Sequence, residues 1–218
     1  MTQKSIVLIA LLLFAQFVFS QEEPTETSSK ATLGINLGGN LFSTRGANHF
    51  PNNFDSKIDF LIGINFEQQL KSNLYFKTNL NYERNTVGID TQTLQSPTGP
   101  AEYLSIRHTM HVLSVPLFLK RSFGEKKAFY INGGGFVNFL FSETGRLNGE
   151  SVNFEWGSTF KTINAGAGIG FGTVLFFYDK NSLDIELRNN LGLLNISKLN
   201  STVRTNTLSL IATWNFDL

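Results

Sequence analysis

The sequence contains no cysteine. That absence excludes a disulfide scaffold, cysteine-ligated zinc, an iron–sulfur cluster, a thiol nucleophile and a lipid-modified N-terminal cysteine. Charge is scarce as well. Asp, Glu, Lys and Arg make up 16% of the 218 residues, against about 25% in an average soluble domain. Neither sign dominates, since the formal net charge is +1. A nucleic-acid partner, which needs a basic patch or stripe, is therefore not expected. Histidine is limited to 3 residues. His108 and His111 are spaced so that a strand would put them on opposite faces, where they cannot share a metal. His49, Ser43 and Asp55 fall in one stretch, but no nucleophile–base constellation is visible and the chain is not expected to be an enzyme. Dinucleotide, Walker and EF-hand motifs are missing, so no cofactor and no metal are expected.

What is abundant is Phe, with 21 residues, and Gly, with 19. The first apolar stretch lies at the N-terminus. Lys4 precedes an apolar run from Ile6 to Phe19, and Val18 and Ser20 stand at −3 and −1 of a cleavage point before Gln21. This is the pattern of a secretory signal peptide over residues 1–20. The run is shorter than the roughly 20 residues of a spanning helix. Its removal takes away Lys4 and leaves equal numbers of basic and acidic residues. Residues 21–30 (QEEPTETSSK) are polar and read as a flexible leader. Residues 31–218 form the main domain.

That domain alternates with period two, the period of a strand whose successive side chains leave opposite faces. In residues 31–42, Leu33, Ile35, Leu37 and Leu41 oppose Asn36, Gly38 and Asn40. In residues 58–68, Ile58, Phe60, Ile62, Ile64 and Phe66 oppose Asp59, Gly63, Asn65 and Glu67. The same alternation runs through residues 74–83, 108–120, 129–141, 160–173, 183–191 and 204–216. These are eight candidate strands, each long enough for the roughly 9–11 residues that cross a bilayer at a tilt. The connections alternate in length. Residues 71–73, 123–127 and 178–181 are short, while 43–57, 84–107, 142–158 and 195–203 are long. An up-and-down barrel of the outer membrane has this rhythm, with short periplasmic turns and long extracellular loops. The fold expected is therefore all-β, an eight-stranded antiparallel up-and-down transmembrane β-barrel of a Gram-negative outer membrane. Closure satisfies every backbone polar group internally, as hydrocarbon demands.

The apolar face of each strand would meet outer-membrane lipid. Glu67, Lys77, Glu83, Asp184, Glu186 and Arg188 would meet the lumen and pair there. Tyr75, Phe76, Phe129, Tyr130, Phe177, Tyr178, Trp214 and Phe216 fall near the periplasmic strand ends, and Phe42, Phe60 and Phe160 near the outer ends. There they would form interfacial girdles. Gly166, Gly168, Gly170 and Gly172 share one strand face. That spacing suits close approach of bulky neighbours inside a tight barrel, not a phosphate loop.

The segment Ser114-Val-Pro-Leu-Phe-Leu-Lys120, then Phe123-Gly124 and Phe129-Tyr-Ile-Asn-Gly-Gly-Gly135, resembles the PorT-like outer-membrane β-barrel family. Residues 74–84 (LYFKTNLNYER), 184–196 (DIELRNNLGLLNI) and the closing strand extend the likeness over nearly all of the domain. Trp214 and Phe216 are similar to the alternating aromatic ending read by barrel-insertion machinery, although Ile211 stands where that signal commonly has Gly. The resemblance implies an outer-membrane protein with a structural, binding or secretion-accessory role. A protein or glycan partner would meet the long loops, best represented by residues 45–54, 91–102 and 145–156. Two alternatives stay open: a narrow channel or transporter, and a secreted soluble lipocalin-like barrel holding an apolar ligand.

Overall fold

The computed structural model describes residues 31–46, 54–92, 103–148, 150–152, 160–177, 181–198 and 202–218. Eight long strands follow one another in the chain. They are β1 (Ala31–Arg45), β2 (Ile58–Lys71), β3 (Leu74–Gln92), β4 (Tyr103–Phe123), β5 (Phe129–Leu147), β6 (Ile163–Phe177), β7 (Asn181–Gly192) and β8 (Arg204–Asp217). Each pairs antiparallel with its neighbours in sequence, from β1–β2 through β7–β8. The last strand then returns to the first, in register from Thr32↔Asp217 to Arg45↔Arg204. The sheet therefore closes, which leaves no long edge with unpaired N–H and C=O groups.

The alternation decides the two faces. Leu37, Ile62, Ile64, Leu117, Ile169 and Leu210 all point outward and are exposed, whereas Asn36, Asn65, Lys77, Ser114, Glu186 and Thr213 point inward and are buried. This inverts a soluble protein, whose exposed surface is not an unbroken band of Leu, Ile and Phe. A lipocalin-like barrel needs the opposite assignment.

The two ends differ. Ser72 and Asn73 alone join β2 to β3. The β4–β5 turn includes a short 3-10 segment, Glu125–Lys127, entered by Gly124 at φ 81, a left-handed value that favours glycine. At the other end the wall rises unevenly. β3, β4 and β5 run for 19, 21 and 19 residues. Two three-residue strands extend this high side: Phe54–Ser56 pairs with β3, and Glu150–Val152 pairs with β5.

The fading alternation predicts a long loop over residues 84–107, and the structure corrects this. Pairing continues from Arg84↔His111 to Gln92↔Tyr103. The alternation fades there because a sheet standing above a bilayer needs no continuous apolar face, so polar residues on both sides hide the strand. Of the proposed loop segments 45–54, 91–102 and 145–156, residues 47–53, 93–102, 149 and 153–156 lie outside the described residues. Between His111 and Val112 the register with β5 shifts, with Ser142 opposite His111 and Leu140 opposite Val112. Phe141 is thus an extra residue. Such a bulge bends and twists the strand locally.

Candidate functional site in the barrel lumen

The inward side chains form three layers. The layer nearest the short turns is charged. Lys120 Nζ donates to Glu67 Oε2 at 2.9 Å and to Asp184 Oδ2 at 2.8 Å. Lys77 Nζ donates to Glu186 Oε2 at 2.8 Å and lies 3.3 Å from Glu67 Oε1. Arg188 Nε donates to Glu186 Oε1 at 2.6 Å. These contacts join into one chain, Asp184–Lys120–Glu67–Lys77–Glu186–Arg188, that leaves β7, crosses β4, β2 and β3, and returns to β7. Tyr130 stands inside it, donating its hydroxyl to Glu186 Oε2 at 3.1 Å. Lys120 and Lys77 sit 4.1 and 5.1 Å from its ring centroid, within cation–π range.

The sequence reading named Glu67, Lys77, Asp184, Glu186 and Arg188, and the structure brings all five together. Lys120 joins them as a sixth member, its parity matching Ser114 on the polar face. Glu83 is buried but makes no ion pair among the described residues; it stands instead among Ser114, Asn85 and Arg188.

The middle layer is made of amides. Asn36 Nδ2 donates to Asn81 Oδ1 at 2.8 Å and Thr213 Oγ1 donates to Asn36 Oδ1 at 2.8 Å. Asn65 Nδ2 donates to Asn215 Oδ1 at 3.0 Å, and Asn79 Nδ2 to Asn65 Oδ1 at 2.8 Å. Asparagine suits this place because it both donates and accepts without a charge. The signal in the sequence was there, as Asn recurs at every second or fourth position of the polar faces.

The layer nearest the long connections is apolar. Phe42, Val87, Met110 and Val112 pack together with Leu140, and Phe160, Ile196 and Val203 pack against the same Leu140. Ile196 and Val203 come from the β7–β8 connection, which folds inward. Ile196 N–H donates to Val203 O at 2.8 Å, and Lys161 N–H to Ile196 O at 2.7 Å. A cleft of about 370 Å³, counted with its open side, lies between these groups. His108 Nε2 is 3.4 Å from Glu143 Oε2, and its ring stacks on Phe160 at 5.4 Å. His111 faces the opposite way, outside the wall, where its Nδ1 lies 2.7 Å from the Tyr82 hydroxyl. His49 lies outside the described residues. Among the described residues there is no group of three or more His, Asp or Glu able to hold a metal.

A closed eight-stranded sheet with a polar, filled interior and an apolar outer band describes a known family. Residues 14–198 match the outer membrane protein beta-barrel domain. The chain belongs to that family. It is an outer-membrane protein. No curated protein sequence matches it. Among solved structures, the outer membrane protein AlkL in DMPC bilayers is 10% identical, with 91% of this chain and 96% of AlkL covered and a TM-score of 0.50. OprG from Pseudomonas aeruginosa is 11% identical, with coverage of 89% and 99% and a TM-score of 0.47. Neisserial surface protein A is 12% identical, with coverage of 85% and 97% and a TM-score of 0.46. At such identities the likeness concerns the fold.

In an outer-membrane barrel the outward aromatics acquire positions against lipid. Phe129, Trp214 and Phe216 are exposed on the outer wall near the short-turn end, and Phe60 is exposed toward the other end. Phe76 is half-buried on the same outer face near the short turns. Four residues depart from the girdle expected of them. Tyr130 is 0% exposed, Phe42 3% and Phe160 8%, all inside the barrel. Tyr75 faces the lumen mouth, where the Lys127 ammonium donates to its hydroxyl at 3.2 Å. Nearness to a strand end suggested a girdle for them, but parity overrides it. Tyr75 shares the face of Lys77, Phe42 that of Asn40, and Tyr130 that of Asn132. Phe160 precedes β6 and folds inward against the β7–β8 connection. The side chain of Phe177 and the whole of Tyr178 lie outside the described residues.

The inward glycines on β6 make room for these large groups. A Cβ on Gly172 would overlap the ring of Tyr130, and one on Gly168 would lie 2.6 Å from Phe118 Cζ. Lumen volume is therefore shared between β6, which gives up side chains, and Tyr130 and Phe118, which fill the space.

Proposed function

We propose that this protein is a non-catalytic outer-membrane scaffold, closed to solutes, whose extracellular end carries recognition. The observation that supports this most directly is the chain of six ion-paired side chains around Tyr130, which spans the lumen from wall to wall. An eight-stranded barrel has an interior just wide enough for side chains to fill, and here the filling is salt-bridged rather than fluid. A solute path would have to break several buried ion pairs at once, and breaking even one is costly. The long connections, raised on the high wall of β3, β4 and β5, offer the surface for a protein or glycan partner. Rigid scaffolds commonly present recognition this way. Within the family we favour a PorT-like assignment, supported by the order of the Ser114–Lys120 strand, the Gly124 turn and the Gly133–Gly135 strand in one hairpin. Such an assignment fits an accessory role in secretion or adhesion. Residues 1–20 act in this reading as an export signal and residues 21–30 as a leader, with barrel-insertion machinery engaged during biogenesis.

The test is conductance. The purified full chain, reconstituted in a planar bilayer, is expected to give no steady current. Stepwise openings at the level of a porin would overturn the closed reading and favour the channel alternative.

A further inference from the structure

The outer wall carries a basic surface that a closed scaffold does not require. Three successive rows cross β3, β4 and β5 in register: Arg84–His111–Ser142, then Thr86–Thr109–Thr144, then Gly88–Arg107–Arg146. By parity they belong to the outward face, opposite His108, Met110 and Val112 of β4; Thr86 and Thr109 are buried there with their hydroxyls 3.0 Å apart, while Arg107, Ser142, Thr144 and Arg146 are exposed. Immediately below them, toward the membrane, lies an aromatic shelf. The Tyr82 ring is 5.8 Å from Phe60 and 6.0 Å from both His111 and Phe141. Phe141 reaches this shelf by the same parity as the exposed Phe129 and Ile131, and the bulge then brings Ser142 onto the outward face opposite His111.

Arg107 and Arg146 are directly opposite each other, both exposed, and neither makes an ion pair among the described residues. Like charges directly opposite on a sheet destabilise it, unless an anion lies between them. None of the nine positions in the three rows is acidic, but Asp55 continues the third row beyond Gly88 and Arg84 Nε lies 3.4 Å from Asp59 Oδ1, so the basic charge without an ion pair among the described residues is that of Arg107 and Arg146. Asp90, in register with Ser105, stands one row further from the membrane. Depth agrees with a lipid ligand. Arg107 is four residues beyond His111, roughly 10 Å higher along a strand of ordinary rise and tilt. Headgroups occupy roughly 5–8 Å beyond each hydrocarbon boundary, so with the aromatic shelf set at that boundary the arginines stand at the outer edge of the headgroup layer.

We propose that the Arg107–Arg146 pair binds the phosphate of an outer-leaflet lipid headgroup, with the acyl chains lying on the shelf of Phe60, Tyr82 and Phe141. Guanidinium groups match phosphate geometry and stay charged at any working pH. The Thr144 hydroxyl, exposed between the arginines and the shelf, adds a donor on the path of the headgroup.

The test uses lipid A as the phosphorylated probe. The full chain, folded in detergent, is incubated with lipid A, repurified by gel filtration and assayed for retained lipid. Wild type is expected to bind roughly 25-fold more tightly than R107Q/R146Q, about fivefold per arginine, with the difference shrinking at high salt. R121Q is the control. Arg121 is exposed on the same strand and face but at the opposite end, and this variant is expected to bind like wild type. Equal binding by the double variant overturns the proposal. So does equal binding of dephosphorylated lipid A by wild type, and so does tighter binding of a soluble sulfated glycan at the same pair. Heat-modifiable gel mobility reports folding of each variant. Should the double variant not fold, the wild-type comparison of phosphorylated with dephosphorylated lipid A decides the matter alone.

Discussion

Replacing Lys120 with Met tests whether the lumen charges act as one network. The ammonium is the link between Asp184 and Glu67, at 2.8 and 2.9 Å. Met keeps most of the volume and removes the charge. Glu67 retains Lys77 at 3.3 Å, but Asp184 is left with no ion-pair partner among the described residues. Six paired charges, three of each sign, become five with one uncompensated carboxylate. Removing one partner of a buried pair costs about 3–5 kcal/mol. The cation–π contact of Lys120 with Tyr130, at 4.1 Å, adds up to about 2 kcal/mol when desolvated. Taking about 4 kcal/mol, the middle of the ion-pair range, and a urea slope of roughly 2 kcal/mol/M, the unfolding midpoint should fall by about 2 M. The assay is urea unfolding of the barrel in lipid vesicles, followed by heat-modifiable mobility. The second arm is K120M/D184N, which removes the stranded carboxylate and should recover about half of the loss. A K120M midpoint equal to wild type would refute the network. A double variant no better than K120M would show that Asp184 is not the group left stranded.

Other outcomes follow from the same geometry. Leu117→Arg, which puts a charge on an exposed outward position in mid-wall, should cost about 2–4 kcal/mol in a bilayer; a soluble barrel would tolerate it within about 0.5 kcal/mol, so urea unfolding separates the two settings. Gly172→Ala should destabilise the barrel by about 1–3 kcal/mol through overlap with Tyr130 and close approach to Ile185 O, 2.7 Å from the added Cβ; combining it with Tyr130→Leu should relieve the ring overlap alone while losing the bond to Glu186, and a fully neutral Gly172→Ala would contradict this packing. Tyr130→Ala with Phe118→Ala, which empties two buried rings from the lumen, should turn a silent planar bilayer into one with measurable small-ion leak, and continued silence would mean that the amide layer alone closes the pore.

Much of this architecture was legible in the chain because a barrel strand writes its orientation into every second residue. Asp184, Glu186 and Arg188 announce one inward face by themselves, and Ile62 and Ile64 announce an outward one. Strand ends above the bilayer were not legible. Thr86, Val87 and Gly88 alternate nothing, yet pair in full register with Thr109, His108 and Arg107. Position and parity also conflicted at Tyr130. Its place near a turn pointed to the lipid interface, while its even spacing from Asn132 pointed inward, and parity is the stronger constraint because the pleat enforces it. Leu61 escaped notice for a related reason. It is an apolar residue on a polar face, fully buried in the lumen, and local patterning treats it as noise. The amide layer was visible as composition but not as a network, since which Asn meets which depends on strands far apart in sequence.

The ion-pair chain has a consequence for how the barrel assembles. Glu67 and Lys77 are directly opposite in the β2–β3 hairpin, so their contact forms early and locally. The Lys77–Glu186 bond joins residues 109 apart in sequence, and Lys120–Asp184 joins residues 64 apart. Neither can form until the wall curls far enough to bring β7 across from β3 and β4. A slip of one residue in any of these strands would turn a charge from the lumen into lipid, at a cost for a basic side chain that rises from about 0–1 kcal/mol near the interface to about 2–4 kcal/mol at the midplane. The charges thus proofread insertion: a misregistered barrel is penalised on its outer surface and unrewarded within, and only the correctly aligned wall closes around neutralised partners.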